Sequence, residues 1–154
     1  MGFLEDPGFS QRVAAIEELL RLVARAVRLH GREILSQFDI TPPQFDALLV
    51  LDSNEGITMG ELCQRMHLAC STATDLIDRM ERSGLLERVR DPHDRRVIRL
   101  KVRPRGQEVL NAVMDARRRY LAGVLRRLDD QELEDLARRL RQVYGLMAGE
   151  MASG

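Results

Sequence analysis

The sequence predicts a mainly α-helical chain that carries a single two-stranded β-hairpin. Long stretches at both ends repeat apolar residues at steps of three and four, the spacing of one helix face. Between Leu86 and Val102 the apolar period changes to two, as in a half-buried strand pair. Aromatic residues make up 4% of the chain and Trp is absent, while Leu, Val, Ala and Met are plentiful. That composition suits helices better than a sandwich or barrel. At 154 residues the chain is long enough for one domain with a real core and short for two. A single domain over 1–154 is therefore expected.

The first helix is predicted from about Ser10 to Phe38, with Val13, Ile16, Leu20, Val23, Val27, His30, Ile34 and Phe38 on one stripe. A stripe that long exceeds what a small domain can cover, so it should pack on another long helix. Thr41-Pro42-Pro43-Gln44 starts the next helix, with Thr as N-cap, Pro in the first turn and Gln closing a capping box. Phe45, Leu48, Leu49 and Leu51 bury it, and Asn54-Glu55-Gly56 ends it. Thr58-Met59-Gly60-Glu61 repeats the capping box, with Leu62 and Met66 as core contacts and His67-Leu68 as the turn. A further helix runs from about Cys70 to Ser83 and stops at Gly84, suited to a left-handed C′ position.

The hairpin is read as Leu86 to Arg90 and Arg96 to Val102, with Asp91-Pro92-His93-Asp94-Arg95-Arg96 as its tip. Ile98, Leu100 and Val102 share one face, and Val97, Arg99 and Lys101 the other. Pro104 opens a long helix carrying Val109, Val113, Tyr120, Val124 and Leu128. Asp129-Asp130-Gln131-Glu132 caps the last helix, which carries Leu133, Leu136, Leu140, Val143 and Met147.

Several functional classes lose their footing. No apolar run approaches the roughly 20 residues that span a bilayer, and Met1 to Pro7 lacks the features of a signal peptide. A cytoplasmic protein without a membrane partner is expected. Cys63 and Cys70 form neither a disulfide framework nor a zinc signature. His30, His67 and His93 show no ligand spacing, so no metal or cofactor is expected. No nucleophile or acid/base set converges, which argues against an enzyme.

Net charge is zero, but its distribution is uneven. Between Arg65 and Arg105 there are 11 basic and 6 acidic residues, against 13 and 18 elsewhere. Every basic residue except Lys101 is Arg, so Arg enrichment alone indicates nothing about nucleic acid.

A helix, a tight turn, a second helix and an arginine-tipped hairpin together outline a winged helix-turn-helix. In that arrangement one helix enters the major groove of DNA and the hairpin reaches toward the minor groove. On the Cys70–Ser83 helix, Ala73, Leu76, Ile77 and Met80 form the inward side. Ser71, Thr72, Thr74 and Asp75 are the candidates for base edges, and Arg79 and Arg82 for phosphates. Asp75 and Asp78 oppose phosphate; they either orient Arg79 and Arg82 as i,i+4 pairs, or Asp75 accepts from a cytosine amino group. On the charge pattern of this helix alone, a merely solvated face with ordinary surface pairs is the favoured reading. The hairpin decides, because Arg88, Arg95 and Arg96 gather there and Asp94 is placed to brace Arg96 for a narrow minor groove. Charged protection of a sheet edge explains some of this, but not arginine at the tip.

These residues resemble the MarR-type winged-helix repressors of bacteria. The likeness lies in Leu62, Leu68, Ser71-Thr72, Leu76-Ile77-Asp78-Arg79-Met80-Glu81, Gly84-Leu85-Leu86-Glu87-Arg88, the tip Asp91 to Arg96, Leu100 and Gly106. With the flanking long helices it covers nearly the whole chain. The resemblance implies a two-stranded wing and a homodimer on a pseudo-palindromic operator of double-stranded DNA. Its dimerisation helices are 10–38 and 104–148, and its DNA-binding region is 41–103. It further implies Arg96 as the minor-groove residue with Asp94 beside it, and release of DNA by a small aromatic or anionic ligand. The chain departs from the family where the first helix lacks Cys, where Asp75 is acidic, and where Arg103 stands for a frequent Thr.

Two side chains stay open. Cys70, at a helix N-terminus that favours a thiolate, is placed for an oxidant sensor, though a small first-turn residue is the plainer reading. Cys63 reads as a buried small residue. His30 fits a ligand pocket or a dimer seam. The sequence thus predicts a sequence-specific, homodimeric repressor. A winged-helix protein–protein module is the alternative, and a structural helical dimer a weaker third.

Overall fold

The structure, a computed structural model, describes residues 6–152. Met1 to Glu5, part of the stretch read above for a leader, lie outside the described residues. The elements in order are α1 (Pro7–Gln37), α2 (Pro42–Ser53), α3 (Met59–Met66), α4 (Cys70–Arg82), β1 (Leu86–Arg90), β2 (Ile98–Val102), α5 (Pro104–Leu125) and α6 (Asp130–Ala152). The mainly α fold with one antiparallel hairpin is the one the sequence predicts. Residues up to Asp115 pack as one compact unit and those from Ala116 as another.

Helix starts follow their local chemistry. α1 begins at Pro7 and not near Ser10, because Asp6 caps it: its carboxylate accepts from Gly8 N at 2.9 Å. Both expected capping boxes form. Thr41 N donates to Gln44 Oε1 at 3.0 Å and Thr58 N to Glu61 Oε2 at 2.7 Å, with the reciprocal bonds also present. These bonds from Thr58 hold the Glu61 carboxyl below its ordinary value. α6 is boxed the same way by Asp129 and Glu132.

In the first unit, Phe45, Leu48, Leu62, Ile77, Met80, Leu86, Leu100 and Val113 are fully buried. The core therefore joins α2, α3, α4, the hairpin and the first half of α5. Leu35 brings the end of α1 into it. Gly31 is buried beside it, while the earlier turns of α1 stay bare, with Ile16, Val23 and Val27 at 55%, 58% and 50% exposure. That matches the expectation that its stripe outruns the small core.

Two glycines shape the root of the hairpin. Gly84, at φ +73, ends the α4 region in the left-handed conformation and turns the chain into β1. Gly106 lets α5 cross close by: a Cβ there would lie 2.1 Å from the Leu85 carbonyl oxygen. Leu85 O also accepts from Arg103 N at 3.0 Å, which fixes that crossing.

The hairpin pairs Leu86 with Val102, Arg88 with Leu100 and Arg90 with Ile98. β2 starts at Ile98 and not at Arg96, because Arg95 and Arg96 belong to the turn. Ile98 lies on the expected face yet is 44% exposed, past the edge of the core that Leu100 reaches. On its other side β2 meets the segment before α3. Leu100 N donates to Ile57 O at 2.9 Å, and Thr58 bridges Arg99.

In the second unit, the end of α5 and α6 contain no fully buried residue among those described. Leu121, Val124, Leu140 and Tyr144 are exposed. No described helix is long and apolar enough to cross a membrane.

Candidate nucleic-acid interface

α3 and α4 are joined by a turn that costs a left-handed residue. His67 adopts φ 52, and its N–H bonds to Gln64 O at 3.2 Å. α4 then leaves with Ala73, Ile77 and Met80 buried and Leu76 half-buried, as the helical wheel requires. Ser71, Thr72, Thr74, Asp75, Arg79 and Arg82 are all exposed on the side away from the core. The Thr74 hydroxyl donates to Cys70 O at 2.8 Å, so its oxygen faces out as an acceptor.

The acids of this face are not handled as i,i+4 pairs. Arg82 Nε donates to the Asp78 carbonyl, and Asp75 has no ion-pair partner among the described residues. Asp78 is instead bound by Arg88 from β1, at 2.6 Å from its Oδ1, and the same guanidinium reaches Glu81 at 3.3 Å. Glu81 also accepts from the Arg88 backbone N–H at 3.0 Å. Arg88, one of the predicted DNA contacts, thus covers two carboxylates of α4 and pins β1 to it. The sequence hid this because the partners lie ten and seven residues upstream.

The hairpin tip is built around an acid that sequence reading passed over. Asp91 is nine-tenths buried. Its Oδ1 accepts from His93 N at 2.7 Å and Asp94 N at 3.1 Å, and its Oδ2 from Arg99 Nε. Arg99 then donates to Gly56 O at 2.8 Å, tying the wing to the loop between α2 and α3. The Arg99 hydrogen bond, followed by the two backbone N–H groups, pulls the Asp91 carboxyl from 3.8 to about 2. The signal was there in Asp91-Pro92-His93-Asp94, the pattern of an Asx turn.

With the tip fixed from within, Arg95 and Arg96 project outward. The Arg96 side chain is 96% exposed; Asp94 Oδ1 accepts from its backbone N–H at 3.0 Å and lies 4.0 Å from its Nε. Asp94 therefore braces Arg96 chiefly through the main chain. His30 meets Glu33 of its own helix at 3.2 Å. Cys70 is exposed and Cys63 buried.

A helix face of hydroxyls and arginines beside an arginine-tipped hairpin is an arrangement shared with proteins already known. The chain is 46% identical over 123 residues to an uncharacterized HTH-type transcriptional regulator, YsmB of Bacillus subtilis, covering 80% of this chain and 84% of that one. Residues 38–97 match the MarR family profile. The chain belongs to the MarR family. A solved MarR family protein from Bacillus stearothermophilus superposes with a TM-score of 0.86 at 45% identity, over 90% of this chain and 97% of the other. The same fold, at 20% identity and a TM-score of 0.67, occurs in a mutant of S. aureus MepR bound to an oligodeoxyribonucleotide, over 86% and 97% of the two chains. MarR-family membership makes this chain a DNA-binding transcription regulator and not an enzyme.

Proposed function

We propose that the protein is a homodimeric repressor that occupies a pseudo-palindromic operator and leaves it on binding a small ligand. The observation that carries the DNA reading is the joint presentation of the α4 face and the Arg95–Arg96 tip on one buried scaffold. In this reading Ser71, Thr72, Thr74 and Asp75 meet base edges, Arg79 and Arg82 meet phosphates, and Arg96 enters the minor groove with Asp94 behind it. Arg95 adds a backbone contact. Arg88 acts mainly by neutralising Asp78 and Glu81, which would otherwise repel the duplex.

The bare apolar faces support self-association. α1 exposes Ile16, Leu19, Leu20 and Val23, and α6 exposes Leu140, Tyr144 and Leu146, more than a lone chain keeps in water without a partner. We assign residues 10–38 and 104–148 to dimerisation and 41–103 to DNA binding. A concavity of 420 Å³ bounded by Pro43, Leu68, Thr72, Asp75, Leu76 and Arg79 supports the ligand reading. Its apolar surface suits an aromatic ring and Arg79 an anionic group held away from Asp75, and such a ligand would compete with DNA for Thr72 and Arg79.

The test is fluorescence anisotropy of the protein's own upstream DNA against random duplex across a salt series. A dimer on two half-sites should prefer its own sequence and lose affinity with a log–log slope of about −0.9 per phosphate contacted. Arg96→Ala should weaken binding by about 1–3 kcal/mol, lower that slope by about one, and leave helicity unchanged. Equal retention of both duplexes at moderate salt would favour a protein-binding module instead.

A further inference from the structure

The turn between α3 and α4 brings together the only cysteines of the chain. Cys63 sits in the last turns of α3, and its carbonyl accepts from Leu68 N at 3.1 Å. Cys70 is the first residue of α4. The left-handed His67 folds the chain back between them, so both cysteines line one open surface depression with Gln64 and His67.

We propose that Cys63 and Cys70 are a disulfide-forming pair, oxidised by small hydroperoxides, and that closing the bond lowers affinity for DNA. The thiols differ in the way the chemistry needs. Cys70 is exposed and open to the oxidant, whereas Cys63 is buried. The Cys70 side chain and its own burial push the Cys63 thiol up, which leaves Cys70 as the first nucleophile and Cys63 as the resolving one. The Cys70 sulfur attacks the O–O bond of the peroxide. An S–O bond forms, the O–O bond breaks, and the departing oxygen takes the Cys70 proton and leaves as alcohol, or as water from hydrogen peroxide. The Cys63 sulfur then attacks the Cys70 sulfur; the S–S bond forms, the S–O bond breaks, and hydroxide leaves as water with the Cys63 proton. Two thiols are oxidised by two electrons and one peroxide is reduced.

The bond would act on the next residues. A disulfide draws the sulfurs to about 2 Å, pulling the first turn of α4 toward α3. That turn has no side-chain cap to resist, since Ala69 stands at the N-cap. Ser71 and Thr72 follow directly, so the effect on DNA rests on the reading of α4 given under Proposed function. Formation of the bond does not.

Full-length protein would be treated with hydrogen peroxide, alkylated under denaturing conditions and weighed intact, with anisotropy on its own promoter DNA in parallel. Protection of both thiols in a monomeric chain, reversed by dithiothreitol, is the expected result. Cys63→Ser should leave a sulfenic acid at Cys70 that dimedone captures. DNA affinity should fall by about tenfold or more on oxidation and recover on reduction, and the doubly substituted Cys63→Ser/Cys70→Ser protein should bind DNA regardless of peroxide. Thiols that remain alkylatable, or cross-links between chains in place of the internal bond, overturn the pair. An internal disulfide with unchanged DNA affinity overturns its regulatory role. Reduced protein that ignores DNA breaks the repressor reading, while the mass shift still decides the dithiol.

Discussion

The hairpin tip and the exposed face of α4 both mix arginines with acids, and they dispose of the acids in opposite ways. At the tip, Asp91 turns inward onto Arg99 and two backbone N–H groups, and the exposed Asp94 is engaged by the Arg96 main chain, which leaves Arg95 and Arg96 outside with a net positive charge. On α4 the acids stay at the surface: Arg88 reaches across to cover Asp78 and Glu81, and Asp75 remains bare. The tip is organised to attract phosphate wherever it meets it. α4 keeps a repulsive group that only a suitable base edge can offset, which serves discrimination better than adhesion. Affinity should therefore live mainly in the wing, and selectivity in the helix.

The largest effect should come from removing the platform that both regions share. Gly106→Ala places a methyl 2.1 Å from the Leu85 carbonyl, and relieving that clash should cost about 1–3 kcal/mol or more. Thermal denaturation would register it, and an unchanged melting point would mean that α5 does not cross the hairpin root so closely. Asp91→Ala separates the two regions next. It leaves Arg99 and the tip N–H groups without their acceptor, so DNA affinity should drop by about tenfold or more with helical circular dichroism intact. Specificity measured against single base changes should survive.

The same clamp has a defined acid limit. Its folded value of about 2 lies below the ordinary 3.8, so its stabilisation is complete above 3.8 and is lost as pH falls through about 2. DNA binding through the neutral range should show no inflection from this group, and acid unfolding should shift upward in pH when Asp91 is replaced.

Arg88→Ala should act on the helix side. It uncovers Asp78 and Glu81, so binding should weaken and respond less to added salt. Stability should fall by about 1 kcal/mol at most, because these partners are well exposed. Asp75→Asn sharpens the comparison with the smallest change. It should raise affinity for random duplex by a few-fold at low salt while narrowing the margin for the preferred sequence. A gain confined to the preferred sequence would reassign Asp75 from filter to simple obstacle.

How much of this was legible in the sequence depended on range. Features set within four residues came through: both capping boxes, the Gly84 stop, the buried stripe of α4 and the hairpin itself. The α1 start lies outside the periodic signal: Asp6-Pro7 is a good N-cap and N1 pair, but Gly8 and Phe9 interrupt the apolar rhythm that marks the helix downstream. What failed outright was pairing between elements. Arg88 with Asp78, Arg99 with Gly56 and Leu100 with Ile57 join residues whose separation leaves no periodic trace. The proximity of Cys63 and Cys70 was hidden for a related reason, since it needs a left-handed turn at His67, a conformation that few non-glycine positions adopt and that no spacing announces. Gly106 was visible only through family likeness.

The bonds that β2 makes to Ile57 and Gly56 have a consequence for the duplex. A finger fastened at its base to the entry of α3 has little freedom to follow a groove that runs elsewhere. In the proposed reading the burden of fitting then passes to the nucleic acid, which would bend so that its minor groove meets Arg96. Operators rich in pliable pyrimidine–purine steps between the helix and finger contacts should outbind stiffer ones that carry identical contacted bases.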